Sequence, residues 1–284
     1  MAAAAPKAMR VGPATRPAAE RRARAGGTGR ALVLGLILLA GCGPRFAAPA
    51  ADPAGLAAAQ EAIRGAPPAP AVAATREEAE AVLGRAAPRL AGAAQPLCTA
   101  HLGQACTFHV ILDPSETPRA FMAGGGRVTV TLGMLRRLGS EEEVAAILGH
   151  EFGHHLAGHL GRRTARGMAA GTVAGTLLGA LVPFGGLAGW ALGEGASLAG
   201  STAAQRAFSK EEEREADYLG AYLVARAGYD LDRAGLVWVR LARGPEETAG
   251  LLDSHPAGPE RLAAWRRAAA EIRRSPDLLP RRAG

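Results

Sequence analysis

His150 and His154 stand four positions apart, with Glu151 directly after the first, in the run His150-Glu151-Phe152-Gly153-His154. On a helix, two imidazoles at this spacing share one face and can reach a single ion. A glutamate beside the first can act as general base on an activated water. The spacing is therefore that of zinc-dependent peptide-bond hydrolysis, provided a helix carries it. Two histidines leave such an ion one protein ligand short of the usual catalytic three, so a third ligand is expected downstream on another element.

The surrounding residues predict the helix. Ser140 and Glu143 have the spacing of a capping box, and Glu141 and Glu142 favour the positive end of a helix dipole. Val144, Ile147, Leu148, Phe152 and Leu156 recur at helical spacing, and Gly158 and Gly161 are candidate stops, so the helix is expected over residues 141–158. A second capping box, Ser209 with Glu212, opens a helix through Arg226. On it Glu213 and Asp217 are four apart and share a face. Alone, such an acidic start is a solvated face. Paired with the upstream histidines, it offers a carboxylate ligand, Glu213, and an acceptor, Asp217, that fixes the tautomer of a ligand imidazole.

The segment Phe208-Ser209-Lys210-Glu211-Glu212-Glu213-Arg214-Glu215-Ala216-Asp217-Tyr218-Leu219-Gly220 resembles the second signature of the HtpX-like and CAAX-prenyl-protease-type zinc metallopeptidases, metallopeptidase family forty-eight. That signature reads FSR-x-x-E-x-x-A-D-x-x-G, and Lys210 replaces its arginine. The first signature is similar too: a strand, an acidic helix start, HExxH, and a further histidine five residues on, here His159. The resemblance covers residues 106–270 and extends to envelope lipoprotein members such as LoiP and BepA. It implies Glu213 as third zinc ligand and one Zn2+ per chain. It implies an α+β, mainly helical, gluzincin-type catalytic domain with a small β-sheet beside the HExxH helix. It also implies a His-Pro loop, here His255-Pro256, whose histidine gates the open coordination site, the alternative being a plain helix entry. His255 or Arg261 would supply positive charge to the developing oxyanion. A metzincin would need glycine at 157 and histidine at 160, where the chain has Ala157 and Leu160.

The remaining elements must position this site. The 284 residues allow one or two domains with a real core. The formal charge of +7 is not a nucleic-acid signal. Residues 1–41 hold Lys7, Arg10, Arg16, Arg21, Arg22, Arg24 and Arg30 against Glu20, which is +6 of the total. An apolar run at residues 31–40 is too short for a mature membrane span but suits a signal peptide. It ends Leu39-Ala40-Gly41-Cys42, which resembles a bacterial lipobox with Cys42 as the lipidated residue. The alternative is an ordinary secretory signal with a chance cysteine. Gly43 after it favours the outer membrane. Cys98 and Cys106 either pair as a disulfide in an oxidising envelope compartment or stay free.

The expected organisation is a lipoprotein signal peptide at 1–41, an Ala/Pro-rich tether at 42–74, a catalytic domain at 75–275 and a frayed tail at 276–284. Within the tether a short helix is expected near residues 56–63. Thr75 and Glu78 open a helix to about Leu90 that Pro88 disturbs. Phe108 to Leu112, and Phe121 to Ala123 joined through Gly124-Gly125-Gly126 to Arg127 to Thr131, read as strands of a small sheet. Its edge either binds an extended polypeptide substrate by β-addition or is purely structural. A Gly-rich apolar insert at 168–204 reads as a broken helical hairpin at the active-site mouth, with membrane insertion the alternative. Together these features predict a zinc metalloendopeptidase for envelope proteins in quality control, lipid-anchored and facing the periplasm. The competing reading is a zinc-stabilised assembly factor with little turnover.

Overall fold

A computed structural model describes residues 45–68, 70–181, 208–243, 258–275 and 277–283. Eight helices and one three-stranded sheet make up this part: α1 Pro53–Gly65, α2 Arg76–Leu102, β1 His109–Asp113, β2 Ala120–Ala123, β3 Arg127–Thr131, α3 Leu132–Leu135, α4 Glu141–Ala157, α5 His159–Leu181, α6 Lys210–Arg226, α7 Leu231–Ala242 and α8 Pro259–Ile272. The class is mainly helical with a small sheet, as the resemblance implies.

Helices α4 and α6 form the centre. Both are buried along most of their length, and they cross through small residues. A Cβ on Gly153 would lie 2.5 Å from the Ala216 carbonyl oxygen. One on Gly149 would lie 3.0 Å from the Gly220 oxygen, and one on Gly220 would lie 2.9 Å from the Gly149 carbonyl carbon. Backbone touches backbone there, so side chains beside the crossing are forced together. Helix α2 packs on both, α7 packs on α4, and α8 closes the far side against α1, α6 and α7.

The sheet order is β1-β3-β2, with β1 parallel and β2 antiparallel to β3. The glycine run turns β2 into β3. Gly126 has φ 71° and a Cβ there would lie 2.0 Å from the Thr107 carbonyl oxygen, so only glycine fits. Just before β1, Phe108 stacks on Phe152 of α4 with ring centroids 3.7 Å apart, which seats the sheet against the histidine helix.

Three expectations change. Helix α2 does not stop near residue 90; it runs through Pro88 and Pro96 to Leu102. Both prolines are exposed, and each has a glycine, Gly84 or Gly92, four residues before it. The freed carbonyls face water and can tilt away from the rings. Glu143 does not close a capping box. The Ser140 hydroxyl accepts from the Glu143 N–H, but the Glu143 carboxylate turns to the Gly139 N–H and to Arg240 of α7. The Thr75 and Ser209 boxes are complete.

The third change concerns the ends. The described residues before 75 do not run free, and residues 281–283 of the tail are paired. Phe46 and Arg282 form a β-bridge, the Ala47 N–H donates to the Arg281 oxygen, and the Ala283 N–H donates to the Arg45 oxygen. Phe46 is buried, as are Ala59 on α1 and Ala73. These segments gain apolar burial and hydrogen bonds, which offset the cost of ordering the chain. Cys42, most of the apolar insert and His255 lie outside the described residues. The start of the insert continues α5 to Leu181. Among the described residues no helix is long and apolar enough to cross a membrane. Cys98 and Cys106 are joined by a disulfide that closes the end of α2 onto the approach to β1.

Candidate metal centre

The α4–α6 crossing puts His150, His154 and Glu213 at one point, all buried. His150 Nε2 and His154 Nε2 are 3.0 Å apart. Glu213 Oε2 is 3.5 Å from His150 Nε2, and Glu213 Oε1 is 3.4 Å from His154 Nε2. Donors around a tetrahedral ion at bond lengths of about 2.0–2.1 Å are separated by roughly 3.3 Å. The three side chains therefore fit a metal of zinc's size and donor preference. Glu151 is buried beside them at 2% exposure.

The helices explain why these atoms converge. Ser209 caps α6, so Glu213 falls on its first buried turn. Gly158, in the left-handed region at φ 75°, ends α4 just after His154. Glu212 accepts two hydrogen bonds from the Arg166 guanidinium, at 2.7 and 2.9 Å, which ties the start of α6 to α5.

Asp217 and Arg261 meet behind His150. Asp217 Oδ1 lies 2.8 Å from His150 Nδ1, so Nδ1–H donates to it and Nε2 is left with a lone pair for an ion. Arg261 donates to both Asp217 oxygens, at 2.8 and 2.6 Å, and one of its nitrogens is 3.4 Å from Glu213 Oε2. Its guanidinium also covers the Trp238 ring at 3.8 Å. Burial works against the Arg261 charge, but Asp217 outweighs it and the net direction is upward.

His154 is held well below the usual histidine range, first by burial and then by the neighbouring His150, against the pull of Glu213. It is neutral, as a metal ligand must be. Phe208 stacks on its ring at 4.1 Å. His155, assigned no ligand role, is half-buried with its ring edge-on to Phe108. His101 packs edge-on to Phe46, and His109 is exposed on β1.

Several residues of the site are missed by spacing arguments. Gly149 and Gly153, four apart, carry the signal of a close helix crossing. Trp238 carries none. Glu215, fully buried inside α6, is a carboxylate between two others in the alternation Glu213-x-Glu215-x-Asp217. Its partners are reached only through the fold.

The sequence profile described as peptidase family M48 matches residues 87–269, more than half of the chain and all of the site described above. The chain belongs to peptidase family M48. Similar curated proteins carry the name mitochondrial metalloendopeptidase OMA1. The one from Schizosaccharomyces pombe is 32% identical over 158 residues, 55% of this chain and 44% of the relative. The one from Saccharomyces cerevisiae is 30% identical over 184 residues, 58% of this chain and 48% of the relative. That from Arabidopsis thaliana is 28% identical over 167 residues, 57% of this chain and 32% of the relative. The match spans less than half the length of each of them.

Proposed function

We propose that this M48 chain is a zinc metalloendopeptidase that hydrolyses peptide bonds in other proteins. The observation that carries the reading is the set of three buried donors, separated as a tetrahedral ion requires, with a buried glutamate next to the first. His150, His154 and Glu213 would hold the ion. A zinc ion held there would supply Lewis acidity, strongly lowering the pKa of water and polarising a peptide carbonyl. Glu151 removes the proton from the attacking water and delivers it to the leaving amine. Asp217 keeps His150 in the tautomer that points Nε2 at the ion, and Arg261, donating to both Asp217 oxygens, holds that carboxylate in place. Arg261 sits behind the ligands, on Asp217, so its role is to position and not to meet the substrate. His255 is the remaining candidate for the oxyanion and for gating. Strand β2 is an edge of the sheet on the side of α4 and exposes Phe121, which supports capture of an extended substrate strand by β-addition.

We place the chain in a bacterial envelope, anchored through lipid on Cys42 and acting in protein quality control. The lipobox-like run supports the anchor. The Cys98–Cys106 disulfide supports an oxidising compartment. From the relatives we carry over the activity in their name and not the organelle.

The test is digestion of an unfolded protein such as casein by wild type, by Glu151→Gln and by wild type with chelator. The variant should keep its zinc and lose cleavage, and chelator should abolish cleavage reversibly. Cleavage that survives Glu151→Gln sinks the base assignment. Zinc binding with no chelator-sensitive digestion favours an assembly factor instead. Glu151→Gln in native envelopes should then trap the natural substrates.

A further inference from the structure

We propose that Glu215 is a positioning residue for His154, and that the N-terminal strap at Arg45 and Phe46 holds Glu215 in place. The proposal rests on the metal reading above and extends it to a part of the chain far from the two motifs.

The tautomers follow from geometry. His154 can present a lone pair at Nε2 only if Nδ1 carries its proton. That Nδ1 lies 2.7 Å from His159 Nδ1, which must then accept. The His159 proton is left on Nε2, 2.9 Å from Glu215 Oε2. Glu215 is an acceptor-only carboxylate with no exposed surface. Its Oε2 also accepts from Arg162 at 3.1 Å, which supplies the balancing charge, and Arg162 caps α4 through the Ala157 oxygen at 2.6 Å. Its Oε1 accepts from the backbone N–H groups of Arg45 and Phe46. The two imidazoles of the centre are thus oriented by two carboxylates of one helix, Asp217 directly and Glu215 through a second imidazole.

The strap is itself clamped. It pairs with residues 281–283, and Phe46 is buried edge-on to His101 at 4.9 Å. The two ends of the described chain therefore close over the carboxylate that orients a metal ligand. Losing the strap would leave half of a buried carboxylate unsatisfied and free it to turn away from His159.

Zinc affinity, measured by competition with a chromogenic chelator, tests this without reference to peptidase activity. Four donors converge on Glu215, and a glutamine offers only one acceptor oxygen. Glu215→Gln should raise the zinc dissociation constant roughly 10- to 100-fold. Glu211→Gln, on the exposed side of α6, should leave it unchanged. Thermal midpoints of the metal-free proteins, measured in parallel, separate loosened ligands from a loss of fold. If Glu215→Gln does not fold, Arg45→Pro, which deletes one strap N–H, is compared with Arg45→Ala, which keeps it. The proline variant should bind zinc about threefold more weakly or worse than the alanine variant. Folded Glu215→Gln with wild-type zinc affinity overturns the proposal, as does equal affinity of the two Arg45 variants. Failure of the wild type to bind zinc would instead sink the metal reading.

Discussion

Gly153→Ala is the sharpest perturbation of the α4–α6 crossing. Gly153 lies between the two histidines of the motif, and its missing Cβ would sit 2.5 Å from the Ala216 carbonyl oxygen and 3.1 Å from the Ala216 carbonyl carbon and Cα. The neighbour is backbone, so it cannot swing aside as a side chain can. Ordinary contact begins near 3.4 Å, so the helices would have to separate by at least about 0.9 Å. Alanine is favoured over glycine in a helix interior by about 1 kcal/mol, while forcing a methyl into a packed core costs about 1–3 kcal/mol. Because the obstruction is backbone, the upper end applies, and the expected net loss is about 1–2 kcal/mol. The larger effect is on the site. Metal–ligand distances tolerate only about ±0.2 Å, so a Glu213 carboxylate carried away with α6 should lose at least about tenfold in zinc affinity. Urea unfolding of the metal-free protein and chelator competition measure the two quantities. Gly161→Ala, where a Cβ meets nothing within 4 Å, should be neutral or slightly stabilising. If Gly153→Ala is as stable as wild type and binds zinc equally well, the contact between the two backbones does not set the ligand geometry.

Other outcomes follow from the same structure. Burial holds His154, His155 and His159 below the ordinary value of 6.5. The folded, metal-free chain therefore binds fewer protons than the unfolded one as pH falls below about 6.5. The stability these groups contribute is present above that pH and lost below it, and thermal midpoints between about pH 7.5 and 5 should fall accordingly. Arg240→Ala strips the buried Glu143 of its cation; Glu143 is already pushed up by burial despite Arg240, and the variant should lose about 2–4 kcal/mol in denaturant unfolding. Replacing Cys98 and Cys106 together with serine opens a loop with a sequence separation of 8 and should lower stability by about 2–3 kcal/mol. A double variant as stable as wild type would show that the pair is not closed in solution.

The ligand set was legible because every signal for it is local. Helical spacing puts His150 and His154 on one face and Glu213 and Asp217 on another, and capping residues mark where each helix starts. The same grammar misplaced the end of α2, because a proline rule takes no account of a glycine four residues earlier on a face open to water. It also misread Glu143, whose capping role is lost to Arg240 nearly a hundred residues away. Only the tertiary structure decided that Arg45 and Phe46 reach Glu215, that His159 stands between that carboxylate and His154, and that the two ends of the described chain pair. Those contacts join residues far apart in the chain, and no period of two or 3.6 encodes them. Sequence alone specified which side chains can bind an ion; the near contact of two glycine-lined helices decided that they meet.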